Sequence, residues 1–320
     1  MSDPANQFDE PWKEALDVYF RQFVELLFPR VAAGIDWDRE VEPLDKELPK
    51  IVPEAETGPG VVDKLVRVEA AGGGAETVFV HVEVQSQADS DLARRMYRYN
   101  HRLEERYGSM PVSVAVLGDN RPAWRPTEHA AGRWGCEVRF AFPVAKLLDW
   151  RGREEELEAL PNPFASFVVA HLAALATDAD PAARLARKLA VVKRLYSRGL
   201  TRTDIRQLFR LIDWVITLPP LLDVVFNHDI DAFEKEKQMP RISPLEQRWL
   251  DKAESIGEER GRLEGRQEAA RRLLKLRFDQ PGLDLMPRVE KVTDPAALEA
   301  LLDAITTAPD LAALDALLPA

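Results

Sequence analysis

A single cysteine, Cys136, stands among 320 residues, so the chain can close no disulfide on itself and can build no multi-cysteine zinc or iron–sulfur site. Long apolar runs are missing as well. The longest mostly apolar stretch, Phe164 to Ala176, is broken by Ser166 and His171; it falls short of the ~18 residues a membrane span needs and reads as a core helix. Positive charge is in deficit, with 43 Lys and Arg against 54 Asp and Glu for a net charge of −11. That excludes a polycation coating nucleic acid at large, but not a local basic stripe. His81, His101, His129, His171 and His228 never fall at H-x-x-x-H spacing, which leaves zinc hydrolysis without a ligand set. His81-Val82-Glu83 lacks the downstream P-C-x-x-C of zinc deaminases. No Ser stands in a G-x-S-x-G turn, and no G-K-[ST] follows Gly72-Gly73-Gly74, which therefore read as a turn between strands and not a phosphate cradle. Met1 to Asp17 carries Asp3, Asp9, Glu10 and Glu14 without an apolar core behind a basic start. It does not read as an export signal, and the expected address is the cytoplasm, with no membrane partner.

What is present suffices for a buried core: 46% of the residues are hydrophobic, and the length suggests about two domains. Glu10 to Phe28 spaces Trp12, Leu16, Tyr19, Phe20, Phe23, Leu26 and Leu27 as one face of a helix that Pro29 ends. Val61 to Glu69 and Thr77 to Gln87 are β-branched and flank the glycine turn, which predicts a hairpin. Alternation puts Val78, Val80, Val82 and Val84 on one face of its second strand, for packing. Phe79, His81, Glu83 and Gln85 fall on the other, for chemistry. Asp89 to Tyr107 reads as a helix with a stripe of Arg94, Arg95, Arg98, Arg102 and Arg106, fit either for a solvated face paired with Glu104 and Glu105 or for a DNA backbone. Further strands are expected over Val112 to Leu117 and within Cys136 to Val144. Trp12, Trp37, Trp124, Trp134 and Trp150 are expected to pack cores rather than to stack on bases.

Asp63 sits in the first hairpin strand, and Glu83 and Gln85 in the second; strands about 4.8 Å apart let two carboxylates and an amide converge at one edge. Hard cations such as Mg²⁺ take one or two carboxylates plus waters and phosphate oxygens. Asp63 and Glu83 supply that set, and Gln85 is placed to orient a water or the scissile phosphate. A metal held there would acidify a water and stabilise charge on a phosphate in flight.

Asp63, followed after about twenty residues by Glu83-Val84-Gln85 and then by an Arg-bearing helix, resembles the PD-(D/E)XK nuclease superfamily. The nearer likeness is to its recombination-promoting nuclease, or putative transposase, branch. In that branch the superfamily's terminal Lys is commonly Gln, as at Gln85, and Val62 stands where the superfamily name has Pro. Asp9-Glu10-Pro11-Trp12-Lys13, Val62-Asp63-Lys64-Leu65-Val66, His81-Val82-Glu83-Val84-Gln85, Arg94-Arg95-Met96-Tyr97-Arg98-Tyr99-Asn100 and Trp124-Arg125-Pro126 are similar to segments of its members. So is the Gly-Arg-rich helix with its small C-terminal domain. The resemblance implies a restriction-endonuclease-like fold, DNA as substrate, and Mg²⁺ or Mn²⁺ as cofactor, with Asp63, Glu83 and Gln85 catalytic and Arg94, Arg95, Arg98 and Arg102 on the DNA. Gln85 leaves the place of a cation empty. Lys64 and Arg67 are the nearby substitutes, although alternation sends Lys64 to the face opposite Asp63. The superfamily often adds a carboxylate from the first helix, where Glu14, Asp17 and Glu25 are all candidates.

The expected fold class is α/β. A mixed sheet flanked by helices occupies 8–150 as a nuclease-like domain, and an all-helical region follows over 151–242. A charged Gly/Arg/Glu-rich helix over 243–278 and a small helical domain over 279–320 complete the chain. The expected activity is hydrolysis of DNA phosphodiesters. The rival is a weak or inactive nuclease-fold module that binds DNA or associates with a second copy of itself through the charged helix. RNA hydrolysis would use the same residues, because the metal acts on the phosphate common to both polymers.

Overall fold

The computed structural model of the chain describes residues 8–48, 61–72 and 76–237, and in the C-terminal part 270–271, 273–275, 277–278, 281, 285–289, 301–302, 304–305, 311 and 314. Most of the expected charged helix over 243–278 lies outside these described residues. The chain divides into two compact units, Met1–Ile242 and Ser243–Ala320.

The first unit is a mixed α/β fold. Helix α1 (Asp9–Leu27) leads through the short α2 (Pro29–Ala32) to β1 (Glu42–Pro43). The hairpin follows as β2 (Val61–Glu69) and β3 (Thr77–Gln85), then α3 (Leu92–Tyr107) and β4 (Val112–Leu117). A separate ribbon, β5 (Glu128–Arg133) with β6 (Cys136–Ala141), precedes β7 (Val144–Lys146). The main sheet runs β1-β2-β3-β4-β7, antiparallel from β1 to β3 and parallel from β3 to β7. The parallel pair β3/β4 is joined by α3, as a crossover requires. The helical region comprises α4 (Glu154–Ala159), α5 (Phe164–Ala176), α6 (Pro181–Leu195), α7 (Arg202–Val215) and α8 (Pro220–Glu236). The Thr201 hydroxyl caps α7 by accepting from the Asp204 N–H at 3.1 Å.

Period-two alternation sorts the sheet as the sequence reads. Val80, Val82 and Val84 of β3 join Val66 and Val68 of β2, Val114 and Val116 of β4 and the apolar side of α1 in one core. The other face is not open, because α3 lies across it. Leu65 and Phe79 pack under Tyr99 and Leu103, and Ala115 and Leu117 pack under Leu92 and Met96.

The large core crosses residue 150, where the sequence reading passes from the nuclease-like domain to the helical region. Trp12 of α1 meets the rings of Phe164 and Phe167 on α5 at 5.8 and 5.0 Å, so the sheet and the helices share one interior. In the second unit, Ala270 and Leu274 close a small core with Met286 and Val289 of α9 (Met286–Val289), Leu301, Ile305 and Leu314. That core begins before residue 279. Among the described residues no helix is long and apolar enough to cross a membrane.

His171 ties α5 to the sheet. Its Nε2–H donates to the Gly118 carbonyl at 2.7 Å and its Nδ1 accepts from Trp12 Nε1 at 3.3 Å, which requires the neutral imidazole. Burial pushes its pKa down to about 4, against the opposing pull of the Gly118 hydrogen bond and the Asp119 charge. The folded value lies below the ordinary one near 6.5, so the unfolded chain takes up the proton first as pH falls. His171 therefore contributes stability above about pH 6.5, loses it between 6.5 and 4, and changes nothing further below 4. The expected loss over that window is about 3 kcal/mol. Urea midpoints of the wild type should fall across it, and His171→Gln should flatten the fall; an unchanged slope in the variant would assign the acid sensitivity elsewhere.

Candidate active site

The antiparallel register sets Asp63 opposite Glu83 and Val61 opposite Gln85. Directly opposed residues of such a ladder share a face, so Asp63, Glu83 and Gln85 occupy one face of the hairpin, toward the C-terminal end of β3. Glu83 and Gln85 are buried, Glu83 completely.

Arg95 of α3 reaches down onto this face. Its Nε donates to Glu83 Oε1 at 2.8 Å, and its Nη2 donates both to Glu83 Oε1 and to Gln85 Oε1, the latter at 2.8 Å. Nη1 donates to Asp89 Oδ2 at 2.5 Å. The clamp runs from the buried floor of the sheet to a partly exposed carboxylate at the start of α3. Burial alone lowers the pKa of the guanidinium, but the charges and hydrogen bonds of Glu83 and Asp89 more than reverse this, and Arg95 is a permanent cation. The Asp89 carboxyl resists its own desolvation and titrates below its usual range, through the Asp91 N–H and Arg95. Two residues before Glu83 on the same face, His81 stacks on Tyr99 at 4.9 Å with ring planes 17° apart.

Arg95 thus stands apart from the surface stripe in which the sequence groups it. Only 7% of it is exposed, and its donors are committed to the site. The signal for this lies in the helix itself. Leu92, Arg95, Met96, Tyr99, Asn100 and Leu103 are the buried positions of α3, a run of i, i+3, i+4, i+7, i+8 and i+11 that includes Arg95 and omits Arg94. Of the other expected DNA contacts, Arg94 is exposed, and Arg98 and Arg102 are half-buried.

The two substitutes for a lysine lie elsewhere. Lys64 is buried on the α1 face, held by Asp17 at 2.5 Å and Asp45 at 3.0 Å. Arg67 pairs with Glu42 at 2.5 Å and lies about 13 Å along the strand from Asp63. The first-helix carboxylates belong to α1, which covers the face of the sheet opposite Glu83. Glu14 pairs with Arg210, Asp17 with Lys64, and Glu25 with Arg21. Asp89, four residues past Gln85, is the acid that sequence reasoning passed over. Among the described residues no group of three or more His, Cys, Asp or Glu side chains forms a metal-binding cluster. No family model, curated protein or solved structure matches this chain.

Proposed function

We propose that the chain is a metal-dependent DNA endonuclease on a restriction-endonuclease-like fold. One observation carries the reading: the ladder register that sets Asp63 against Glu83, with Gln85 two residues on and on the same face. Carboxylate and amide oxygens of this kind suit a hard divalent cation, and Asp63 and Glu83 are the residues that would hold Mg²⁺ or Mn²⁺. When bound, such a cation supplies Lewis-acid charge at the phosphate and makes a water more acidic.

The remaining tasks fall to the side chains. Arg95 fixes Glu83 in one orientation before substrate arrives and brings a guanidinium beside Gln85, where the superfamily carries its Lys. The amide N–H groups of Gln85 are donors that a phosphate oxygen can accept. Arg94, Arg98 and Arg102, on the outer turns of α3, hold the DNA backbone. We place the activity in the reducing cytoplasm, where the exposed Cys136 thiol stays reduced.

A second reading, an inert nuclease-fold module, draws on one observation: Glu83 is fully buried and already faces the charge of Arg95. Calorimetric titration with Mn²⁺ separates the two, since an active site gives heat that Asp63→Asn removes. The direct test is nicking of supercoiled plasmid in Mg²⁺ and in chelator. Wild-type nicking should require the metal, and Asp63→Asn should lower it about a hundredfold or more with unchanged circular dichroism. Nicking that survives chelation or this substitution would overturn the assignment. Matched DNA and RNA strands then define the polymer.

A further inference from the structure

The β5–β6 ribbon is rooted in the protein at one end only. Phe140 and Phe142 at its base pack with Leu92 and Met96 of α3 and with Ala115 and Leu117 of β4. Its tip, Arg133-Trp134-Gly135-Cys136, is a two-residue turn closed by the Arg133–Cys136 pair. Trp134 has φ +53° and Gly135 φ +85°. Two successive positive φ values form the hairpin turn that favours Asn-Gly, and an L side chain enters that region at a cost. The residue bearing the cost is a tryptophan, 96% exposed, whose ring meets the Arg133 guanidinium at 5.6 Å. It serves no core, contrary to the expectation for the tryptophans of this half of the chain.

The surroundings select the partner. The ribbon stands on α3, the helix that sends Arg95 to Glu83 and Gln85 and exposes Arg94. Three nearly parallel rings bind ribbon and helix together: Tyr97 stacks on His129 of β5 at 5.1 Å and on His101 at 5.9 Å. Six-residue strands carry the tip about 20 Å from that root. The arm is thus rooted beside the end of β4 that pairs with Gln85, and its far end carries a flat aromatic face with a cation beside it.

We propose that this arm engages DNA at unpaired bases, with Trp134 stacked on one base and Arg133 on a neighbouring phosphate. Such stacking accepts any base, because each has a π face. The assignment rests on the nuclease reading and deepens it, directing the site to single strands or to junctions between duplex and single strand.

The test measures binding of the full chain to a labelled single strand and to its duplex by fluorescence anisotropy, in chelator so that no cleavage intervenes. The wild type should prefer the single strand. Trp134→Ala should weaken that binding roughly tenfold, and Trp134→Phe should retain most of it. Trp134→Asn, which suits the turn, should match or exceed the wild-type melting temperature yet bind as weakly as the alanine variant. Equal single-strand affinity in wild type and Trp134→Ala, with nicking intact, overturns the arm and spares the nuclease. Trp134-dependent binding without nicking supports the arm and overturns the nuclease. No binding by the wild type, or a dimer that dissociates in Trp134→Ala with DNA affinity unchanged, overturns the arm.

Discussion

Arg95→Met is expected to lower the unfolding free energy by about 3–5 kcal/mol, the usual cost of removing one partner from a buried ion pair. The substitution deletes two hydrogen bonds to Glu83 and one each to Gln85 and Asp89. It leaves Glu83, with none of its surface in water, as an anion in the interior without its guanidinium. Glu83→Gln should cost less, because it removes a charge from the core and leaves Arg95 facing Asp89. In the double variant, Arg95→Met with Glu83→Gln, the losses should fall well short of their sum, since the buried negative charge is gone. Urea denaturation followed by circular dichroism measures all three. A single-variant loss below about 1 kcal/mol would mean that the guanidinium does not organise this face. At a matched fraction folded, Arg95→Met should also lose metal-dependent nicking, while Arg95→Lys, a cation of poorer geometry, should recover part of it.

A comparable loss, about 3–5 kcal/mol, is expected for Lys146→Met. Lys146 Nζ pairs with Asp119 Oδ2, with 1% and 2% of the two side chains exposed. The same ammonium donates to the Trp124 carbonyl at 3.2 Å and lies 5.3 Å from the centre of its indole ring. Asp119 also accepts from the Arg121 N–H at 2.7 Å, which fixes the loop after β4. Removing the lysine leaves a carboxylate sealed beneath that loop, and the melting temperature should fall on the order of 10 °C. Lys146→Met combined with Asp119→Leu should regain most of the loss, because replacing both partners by apolar groups removes the desolvation cost along with the attraction. If the double variant melts no higher than the single, the damage lies in packing around Trp124 and not in the uncompensated charge.

Local pattern made part of this molecule readable and left the rest silent. Alternation along Thr77 to Gln85 assigned each side chain of β3 to its face, because the pleat has a period of two and both faces are buried. The apolar spacing of α1 and the hairpin around Gly72 follow rules of the same short range. The opposition of Asp63 and Glu83 in the ladder was legible because a single hairpin joins their strands. Arg95 was misgrouped because counting basic residues ignores that neighbouring helical positions point about 100° apart. β5 was missed because Glu-His-Ala-Ala-Gly-Arg has no β-branched residue and takes its shape from β6 and from α3. The Asp119–Lys146 pair and the first-helix partners depend on contacts between distant segments, which no window of sequence contains.

The contact between Trp12 and His171 spans 159 positions. A ribosome adding about 5–20 residues per second needs roughly 8–30 s to pass from one to the other. Throughout that interval the edge of the indole that α5 covers stays open, while the strands made meanwhile can pack on the rest of the first helix. Until then that edge is available to chaperones and to other nascent copies, and the fifth helix closes it when it emerges.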